Sequence, residues 1–258
     1  MGAAAFVCLN PVSAEAQAAR GSAPLVTLVP ELEIGREPGA HTVFVRVADL
    51  TADASGRIYV ADAGEPAILV FDALGRHERS IGRRGSGPGE FQAVARLGWR
   101  GDTLWALDPV VGRISYFAQS GEHVRAALLA PFETAAGFPL EVLGVFADGS
   151  LAARPAASSS WLARAGAQAP LLRVAEPGTT ADTVAWTPVG HTVLHVSLPG
   201  GVRVLRFQPF GDDPLVALAP DGSHWIVVER PAQVRDGAVT IRVARLAPTG
   251  DTLARTCY

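Results

Sequence analysis

The chain has 258 residues, 48% of them hydrophobic and 18% charged, and its formal net charge at pH 7 is -3. This balance excludes intrinsic disorder and argues against a protein that coats nucleic acid. All 22 basic residues are Arg, so P-loop and Schiff-base chemistries that need a lysine are excluded as well. The 27 Gly and 19 Pro indicate many turns and favour an all-β chain.

Residues 1–20 are mostly small and apolar, and Ala-x-Ala occurs at Ala14–Ala16 and again at Ala16–Ala18. This pattern is typical of the cleavage region of a secretory signal peptide, although no basic residue precedes Arg20. We therefore predict that residues 1–20 are the remnant of a signal peptide and that the protein is exported to the periplasm or the cell exterior, free or associated with the envelope. An Ala-rich segment without a signal role, or a lipoprotein anchored at Cys8, are the alternatives. No apolar run is long enough to predict a membrane span.

Two kinds of turn recur along the rest of the chain. The first kind precedes a strand and places Gly at positions 56, 101, 149 and 222, and the second follows a strand and places Gly at 75, 121 and 250. In the first two units, these landmarks advance by 45 and 46 residues. A unit of about 45 residues with four short strands is one propeller blade, so the pattern predicts a β-propeller. A β-sandwich is the alternative, but sandwiches do not repeat their turns at one spacing.

The landmarks predict a single propeller domain over residues 21–258, with four blades centred near residues 60, 105, 155 and 230. An extra hairpin folded about Pro199–Gly201 accounts for the long interval before the fourth blade. Six blades of this size need about 270 residues, so we expect an incomplete ring and interpret the chain as a fragment of a longer propeller. The rival is a compact ring of four or five blades, closed by pairing of residues 24–35 with the last blade.

Residues 56–92, GRIYVADAGEPAILVFDALGRHERSIGRRGSGPGEFQ, resemble an NHL-type repeat. The resemblance includes the IYVAD strand, the following VFDxxG strand and the GxGPGEF loop that leads to the next blade. The chain is similar to bacterial six-bladed β-propeller proteins that carry such repeats. This resemblance implies a fold and a general role in interaction or ligand binding, and it does not imply a reaction.

The Gly-rich segment of residues 82–91 could be mistaken for a phosphate-binding loop. It lacks the third Gly of the dinucleotide pattern and no helix follows it, so we interpret it as a connection between blades in which Phe91 packs. We also predict that Phe71, Trp105 and Phe117 are buried between blades. Arg76, Arg79 and Arg83 are predicted to be largely exposed.

Four residues are candidate channel or ligand positions. Asp62 and Asp108 end equivalent strands 46 residues apart, so in a ring they stand at matching positions on adjacent blades. Two such carboxylates could bind a cation or a polar ligand, although an Asp at this place more often accepts backbone N–H groups of the following turn. Arg57 and Arg113 flank the same strands and either pair with these acids or face water.

No metal, cofactor or catalytic residue is predicted. His191 and His195 have the spacing of helical zinc ligands, but their surroundings favour a strand, on which four residues span about 13 Å. The favoured function is therefore a non-catalytic binding propeller whose partner is an unidentified protein, peptide or glycan and not a nucleic acid. The alternatives are a metal-dependent propeller hydrolase or lyase of the lactonase kind and a quinoprotein-like enzyme.

Overall fold

The computed structural model describes residues 31–34, 44–62, 64–129, 140–156, 168–175, 179, 181–188, 193–197, 203–207, 214–229 and 241–257. Within these ranges the secondary structure consists of β-strands and turns, with no helix. The predicted signal-peptide remnant and His191 lie outside the described residues.

Sixteen of the strands form four antiparallel sheets of four strands each, which are the four blades. Blade 1 contains β1 (Val47–Ala52), β2 (Ile58–Asp62), β3 (Ile68–Phe71) and β4 (His77–Ile81). Blade 2 contains β5 (Arg96–Arg100), β6 (Thr103–Asp108), β7 (Arg113–Phe117) and β8 (His123–Leu128). Blade 3 contains β9 (Leu140–Val145), β10 (Leu151–Pro155), β11 (Gln168–Val174) and β12 (Ala181–Pro188). Blade 4 contains β15 (Leu215–Leu218), β16 (Trp225–Glu229), β17 (Arg242–Leu246) and β18 (Thr252–Cys257).

Between blades 3 and 4, β13 (Val193–Ser197) pairs with β14 (Arg203–Phe207) as a separate antiparallel hairpin. This confirms the predicted extra hairpin. The four blades also lie where the turn landmarks predict them.

The first strand of each blade is the innermost one, and these strands contact one another in the order β1, β5, β9 and β15. The blades are therefore arranged around one axis, and the chain is a β-propeller. Among the described strands, β15 makes no comparable contact with β1. The ring of described blades is thus open between blades 4 and 1, in agreement with the predicted incomplete ring.

Hydrophobic layers between adjacent blades form the core. In β6, Leu104 and Ala106 belong to the layer between blades 1 and 2, whereas Trp105 and Leu107 belong to the layer between blades 2 and 3. Successive side chains of a strand point to opposite faces, so a middle strand with a blade on each side must be apolar at every position. This requirement explains the continuous apolar runs in the sequence.

The landmark turns have the geometry that their glycines allow. All seven landmark glycines have positive φ, between 56° and 92°. The first-kind turns of blades 1, 3 and 4 also share an Asp whose Oδ1 accepts the backbone N–H and hydroxyl of the Ser two residues later. These local hydrogen bonds explain why the turn residues repeat along the sequence more regularly than the strand residues do.

The structure confirms the predicted burial of Trp105 and Phe117 between blades and the exposure of Arg76 and Arg83. Phe71 is buried as well, but it packs with Phe44 in a cluster of blade 1 that contains no described residue of another blade. The prediction for Arg79 was wrong. Its side chain is about two-thirds buried and its Nη2 donates to the carbonyl of Gln119 at 2.7 Å. The outer strand of blade 1 lies against a turn of blade 2, and this contact holds the guanidinium.

Of the segment predicted to close a compact ring, residues 31–34 are described, and they form no strand. Ile34 packs against the cluster of Val60, Leu69 and Phe71. The described part of this segment therefore covers a face of blade 1, and the rival prediction of pairing with the last blade finds no support there.

Candidate functional site

The two faces of the ring carry different elements. The loop face holds the ends of the second strands, such as Asp62 and Asp108, and the connection between blades 1 and 2 at residues 82–91. The turn face holds the landmark glycines. Antiparallel strands within each blade impose this division, since the first strand of a blade runs from the loop face to the turn face and the second strand runs back.

Asp62 is buried at the loop-face end of β2. Its carboxylate accepts the backbone N–H groups of Val45 (2.8 Å), Arg46 (2.9 Å) and Gly64 (2.9 Å). Burial opposes ionisation, but the bonds from Gly64, Arg46 and Val45 outweigh it and lower the pKa of Asp62. The carboxylate joins the segment entering β1 to the turn leaving β2.

Asp108 occupies the same position in blade 2 and is fully buried. It accepts the backbone N–H groups of Gln92 (2.7 Å), Val110 (3.0 Å) and Val111 (3.2 Å). All these contacts of Asp62 and Asp108 are with backbone N–H groups, as expected for acids that stabilise the neighbouring chain segments. The structure places the two acids at matching blade positions, as the repeat requires.

A third acid at this position was missed by the sequence reasoning. Glu229 ends β16 of blade 4 and is buried, and its Oε2 lies 3.7 Å from Arg242 Nη1. Burial raises the pKa of Glu229 against the opposing charge of Arg242. Aligning the WIVVE strand with the IYVAD and LWALD strands would have found this residue.

The two candidate arginines lie at opposite faces. Arg57 precedes β2 at the turn face, where its guanidinium contacts Asp53 at 3.4 Å and Glu78 at 3.6 Å. Arg113 starts β7 at the loop face and is buried, and it donates to the carbonyls of Ser86 (3.0 Å) and Glu90 (2.5 Å). Arg113 is the cross-strand neighbour of Asp108 in the β6–β7 pair, but among the described residues the hydrogen bonds and ion pairs of the two arginines go to other partners than Asp62 and Asp108.

Arg113 therefore holds the Gly-rich connection between blades 1 and 2. Phe91 of this connection is fully buried, with its ring centroid 5.8 Å from that of Phe117. The backbone N–H of Gly87 donates to Glu90 Oε2 at 2.9 Å. These contacts confirm the interpretation of residues 82–91 as an inter-blade connection.

A cavity of about 230 Å³ lies on the axis between the four innermost strands. Its walls include Thr51 of β1, Trp99 of β5, Val145 of β9 and Leu218 of β15. Arg96 also lines it, and its Nη2 lies 3.1 Å from Glu141 Oε1 in blade 3. The wall of the cavity is thus polar and apolar in similar measure, and the cation at its loop-face end is already paired.

A second, more polar groove of about 470 Å³ lies between blades 2 and 3 and extends from Arg100 at the turn face to Leu128, which pairs with Arg113 near the loop face. We call it the arginine groove. It is lined by Arg100, Tyr116, Arg125, Ala127, Leu128, Asp148, Gly149 and Ala175. The sequence reasoning missed it, although pairing β7 with β8 across the Gly121 turn would have placed Arg125 opposite Tyr116.

Within the described ranges, no three His, Cys, Asp or Glu side chains are grouped so that they could hold a metal ion. The same part of the chain contains no helix that is long and apolar enough to cross a membrane. The described surface includes an axial cavity of mixed polarity and a cationic groove.

Residues 44–118 match the family DUF5128, described as a 6-bladed beta-propeller. This match confirms the resemblance to six-bladed propellers that the sequence carries, while the NHL-type label stays a prediction. The match covers blade 1 and most of blade 2. No curated protein is significantly similar to the chain.

Solved structures similar to this chain include a protein described as exported from Bacteroides fragilis, with 13% identity, a TM-score of 0.43, and coverage of 88% of this chain and 75% of that one. Virginiamycin B lyase from Staphylococcus aureus has 11% identity, a TM-score of 0.40, and coverage of 82% and 69%. A DUF4221 family member from Bacteroides vulgatus has 9% identity, a TM-score of 0.41, and coverage of 84% and 83%. At these values the likenesses carry no argument about function.

Proposed function

We propose that this protein is an exported, non-catalytic binding propeller that recognises another protein, peptide or glycan. The observation that carries the proposal is the burial and hydrogen bonding of Asp62 and Asp108, the two acids that the sequence offered as metal or ligand positions. Asp62 and Asp108 are buried, and each accepts three backbone N–H groups. Their oxygen atoms stabilise the blades rather than face a ligand.

A metal-dependent hydrolase or lyase needs carboxylate, imidazole or amide groups that converge on one ion. To bind a cation, Asp62 or Asp108 would have to give up backbone hydrogen bonds and leave buried N–H groups without a partner, which costs about 1–3 kcal/mol for each group. Binding through a preformed surface requires no such rearrangement. The geometry of these acids therefore favours recognition over metal chemistry.

Metal analysis tests this proposal directly. The protein is purified from its native host without chelators, and calcium, zinc and other metals are quantified by mass spectrometry. We expect substoichiometric metal and a melting temperature that EDTA does not change. One tightly held ion per chain, with a melting temperature that falls on chelation and recovers on readdition, would overturn the proposal in favour of the metal-dependent enzyme.

Export is the second part of the proposal, and it rests on the Ala-x-Ala pattern within residues 1–20. We expect the native mature protein to begin between Ala16 and Arg20 and to be recovered from the periplasm or the medium. Intact-mass measurement of the native protein checks this. A mature form that retains Met1 would exclude the proposed cleavage.

A further inference from the structure

We infer that the arginine groove between blades 2 and 3 binds an extended, acidic peptide segment through the guanidinium groups of Arg100 and Arg125. The inference rests on the proposed binding function and names a surface and a ligand class for it.

Arg125 is held over an aromatic ring. Its guanidinium carbon lies 3.7 Å from the centre of the Tyr116 ring, and Tyr116 is buried. This contact uses the flat face of the guanidinium and leaves the N–H groups in its plane available. The side chain is exposed, so those N–H groups can form the paired hydrogen bonds with a carboxylate that Arg geometry favours.

Arg100 is fixed from the other wall of the groove. Its Nε and Nη2 donate to the carbonyls of Ala147 (3.0 Å) and Asp148 (3.1 Å) in the first turn of blade 3. Gly149 makes room for this arrangement, because a Cβ there would lie 3.0 Å from the guanidinium carbon. The charge of Arg100 is thus positioned before any ligand arrives, while its partners are neutral carbonyl groups.

The groove has a net positive charge that it does not neutralise internally. Asp148 is the acid among its lining residues, and its Oδ2 lies 2.6 Å from Arg173 Nη2. In the part of the chain that the structure describes, neither Arg100 nor Arg125 forms an ion pair. An anionic ligand would therefore find two positioned cations without having to displace an internal acid.

The border of the groove favours a peptide over a compact anion. Ala127 and Leu128 of β8 line it, and β8 is the last strand of blade 2, with β7 as its neighbour in the sheet. An extended peptide can add to such an edge through main-chain hydrogen bonds. Its alternate side chains would then face the guanidinium of Arg125 and the exposed side chain of Leu128. An acidic side chain further along the groove would meet Arg100, which lies on β5 at the opposite edge of blade 2.

Binding is measured with a labelled peptide of alternating Glu and Val by fluorescence anisotropy. A peptide with Lys in place of Glu and an oligouronate of equal charge serve as comparison ligands. Arg125→Gln and Arg100→Gln are compared with the matched control Arg76→Gln, which removes an exposed arginine from a turn of blade 1. Circular dichroism and thermal melting establish that each variant folds.

We expect the acidic peptide to bind at least about tenfold more tightly than the Lys peptide, and each groove substitution to weaken it about tenfold. Arg76→Gln should bind as the parent does, and Arg125→Lys should restore only part of the affinity because it keeps the charge without the planar fork. Equal losses in the control and groove variants, or binding of the oligouronate without the peptide, would overturn the inference. If the protein is metal-free, these two overturning results refute only the peptide assignment and leave the proposed binding function unaffected. A stoichiometric metal ion would refute the binding function independently of the peptide experiment.

Discussion

The backbone N–H of Gln92 lies 2.7 Å from Asp108 Oδ2, although 16 residues separate the two in sequence. In blade 1, the N–H groups of Val45 and Arg46 make the equivalent bonds to Asp62. The acid at the end of the second strand therefore holds the segment that leads into its own blade. The relationship occurs in blades 1 and 2, where it fixes the start of the innermost strand at the same place, whereas Glu229 of blade 4 contacts Arg242 instead.

Replacing Asp108 by Asn should destabilise the protein. The Asn side chain keeps one acceptor oxygen and directs an NH2 group toward backbone donors, so at least one buried N–H loses its partner, at a cost of about 1–3 kcal/mol. Asp102→Asn makes the same chemical change at an exposed position of blade 2 and should leave stability unchanged. Urea unfolding of both variants checks this, and equal midpoints would contradict the assigned role of Asp108.

Two acids with lowered pKa values, Asp62 and Asp148, also predict a loss of stability in acid. For Asp62, burial opposes ionisation but backbone hydrogen bonds lower the pKa below its ordinary value of 3.8. For the half-exposed Asp148, the effect of burial is likewise outweighed by hydrogen bonds donated by Ser150 and Arg173, which lower the pKa. The stabilisation is complete above the unfolded pKa and is lost as the pH falls through the lower folded pKa. We expect the free energy of unfolding to decrease as the pH falls below about 4. In Asp62→Asn, the free energy of unfolding should fall less between about pH 6 and about pH 3 than in the parent, as measured by urea unfolding at each pH. An equal decrease in both proteins would contradict the assigned role of Asp62.

Glu229 should show the opposite dependence. Burial raises the pKa of this carboxyl, so its protonated form is favoured in the folded state. The corresponding stabilisation is present below the unfolded pKa and is lost as the pH rises through the folded pKa. Glu229→Gln should therefore raise the melting temperature above that of the parent, and this increase should be larger at pH 7 than at pH 4. Thermal melts at the two pH values measure this, and a gain confined to pH 4 would show that the sign is wrong.

Sequence reasoning could predict the turns because each depends on a few adjacent residues. The landmark glycines, and the hydrogen bonds that each Ser donates to the Asp two residues before it, form within one turn and can be predicted without knowing the rest of the fold. The role of Asp108 could not be decided in this way, since it depends on where the N–H of Gln92 lies. The arginine groove is even harder to predict from the sequence, because Arg100 donates to carbonyl groups 47 and 48 residues away in the next blade.

Phe91 should be one of the main stabilising residues of the inter-blade connection. It is fully buried and packs against Phe117, so Phe91→Ala should cost about 3–5 kcal/mol. Arg83 lies in the same connection with its side chain 81% exposed, and Arg83→Ala should not change the unfolding midpoint measurably. A phosphate-binding loop would show the reverse, with anion affinity lost in the arginine variant and little effect of Phe91 on stability.

Two landmark glycines should differ in their tolerance of a side chain, although both have positive φ. At Gly101, with φ of 56°, a Cβ would meet nothing within 4 Å, so Gly101→Ala should cost only the backbone strain of about 1–2 kcal/mol. At Gly222, with φ of 68°, the Cβ would lie 2.8 Å from the backbone N of Ala147 and the carbonyl O of Val145.

The carbonyl of Gly222 also accepts the N–H of Ala147 at 3.0 Å, which joins the first turn of blade 4 to blade 3. Backbone atoms cannot rotate away as a flexible side chain can, so Gly222→Ala must separate the two blades locally. We expect it to cost about 1–3 kcal/mol more than Gly101→Ala in urea unfolding. Gly101→Asn should unfold close to the parent, because Asn tolerates this backbone conformation better than Ala does. Equal losses at positions 101 and 222 would show that blade 4 does not pack against blade 3 through this turn.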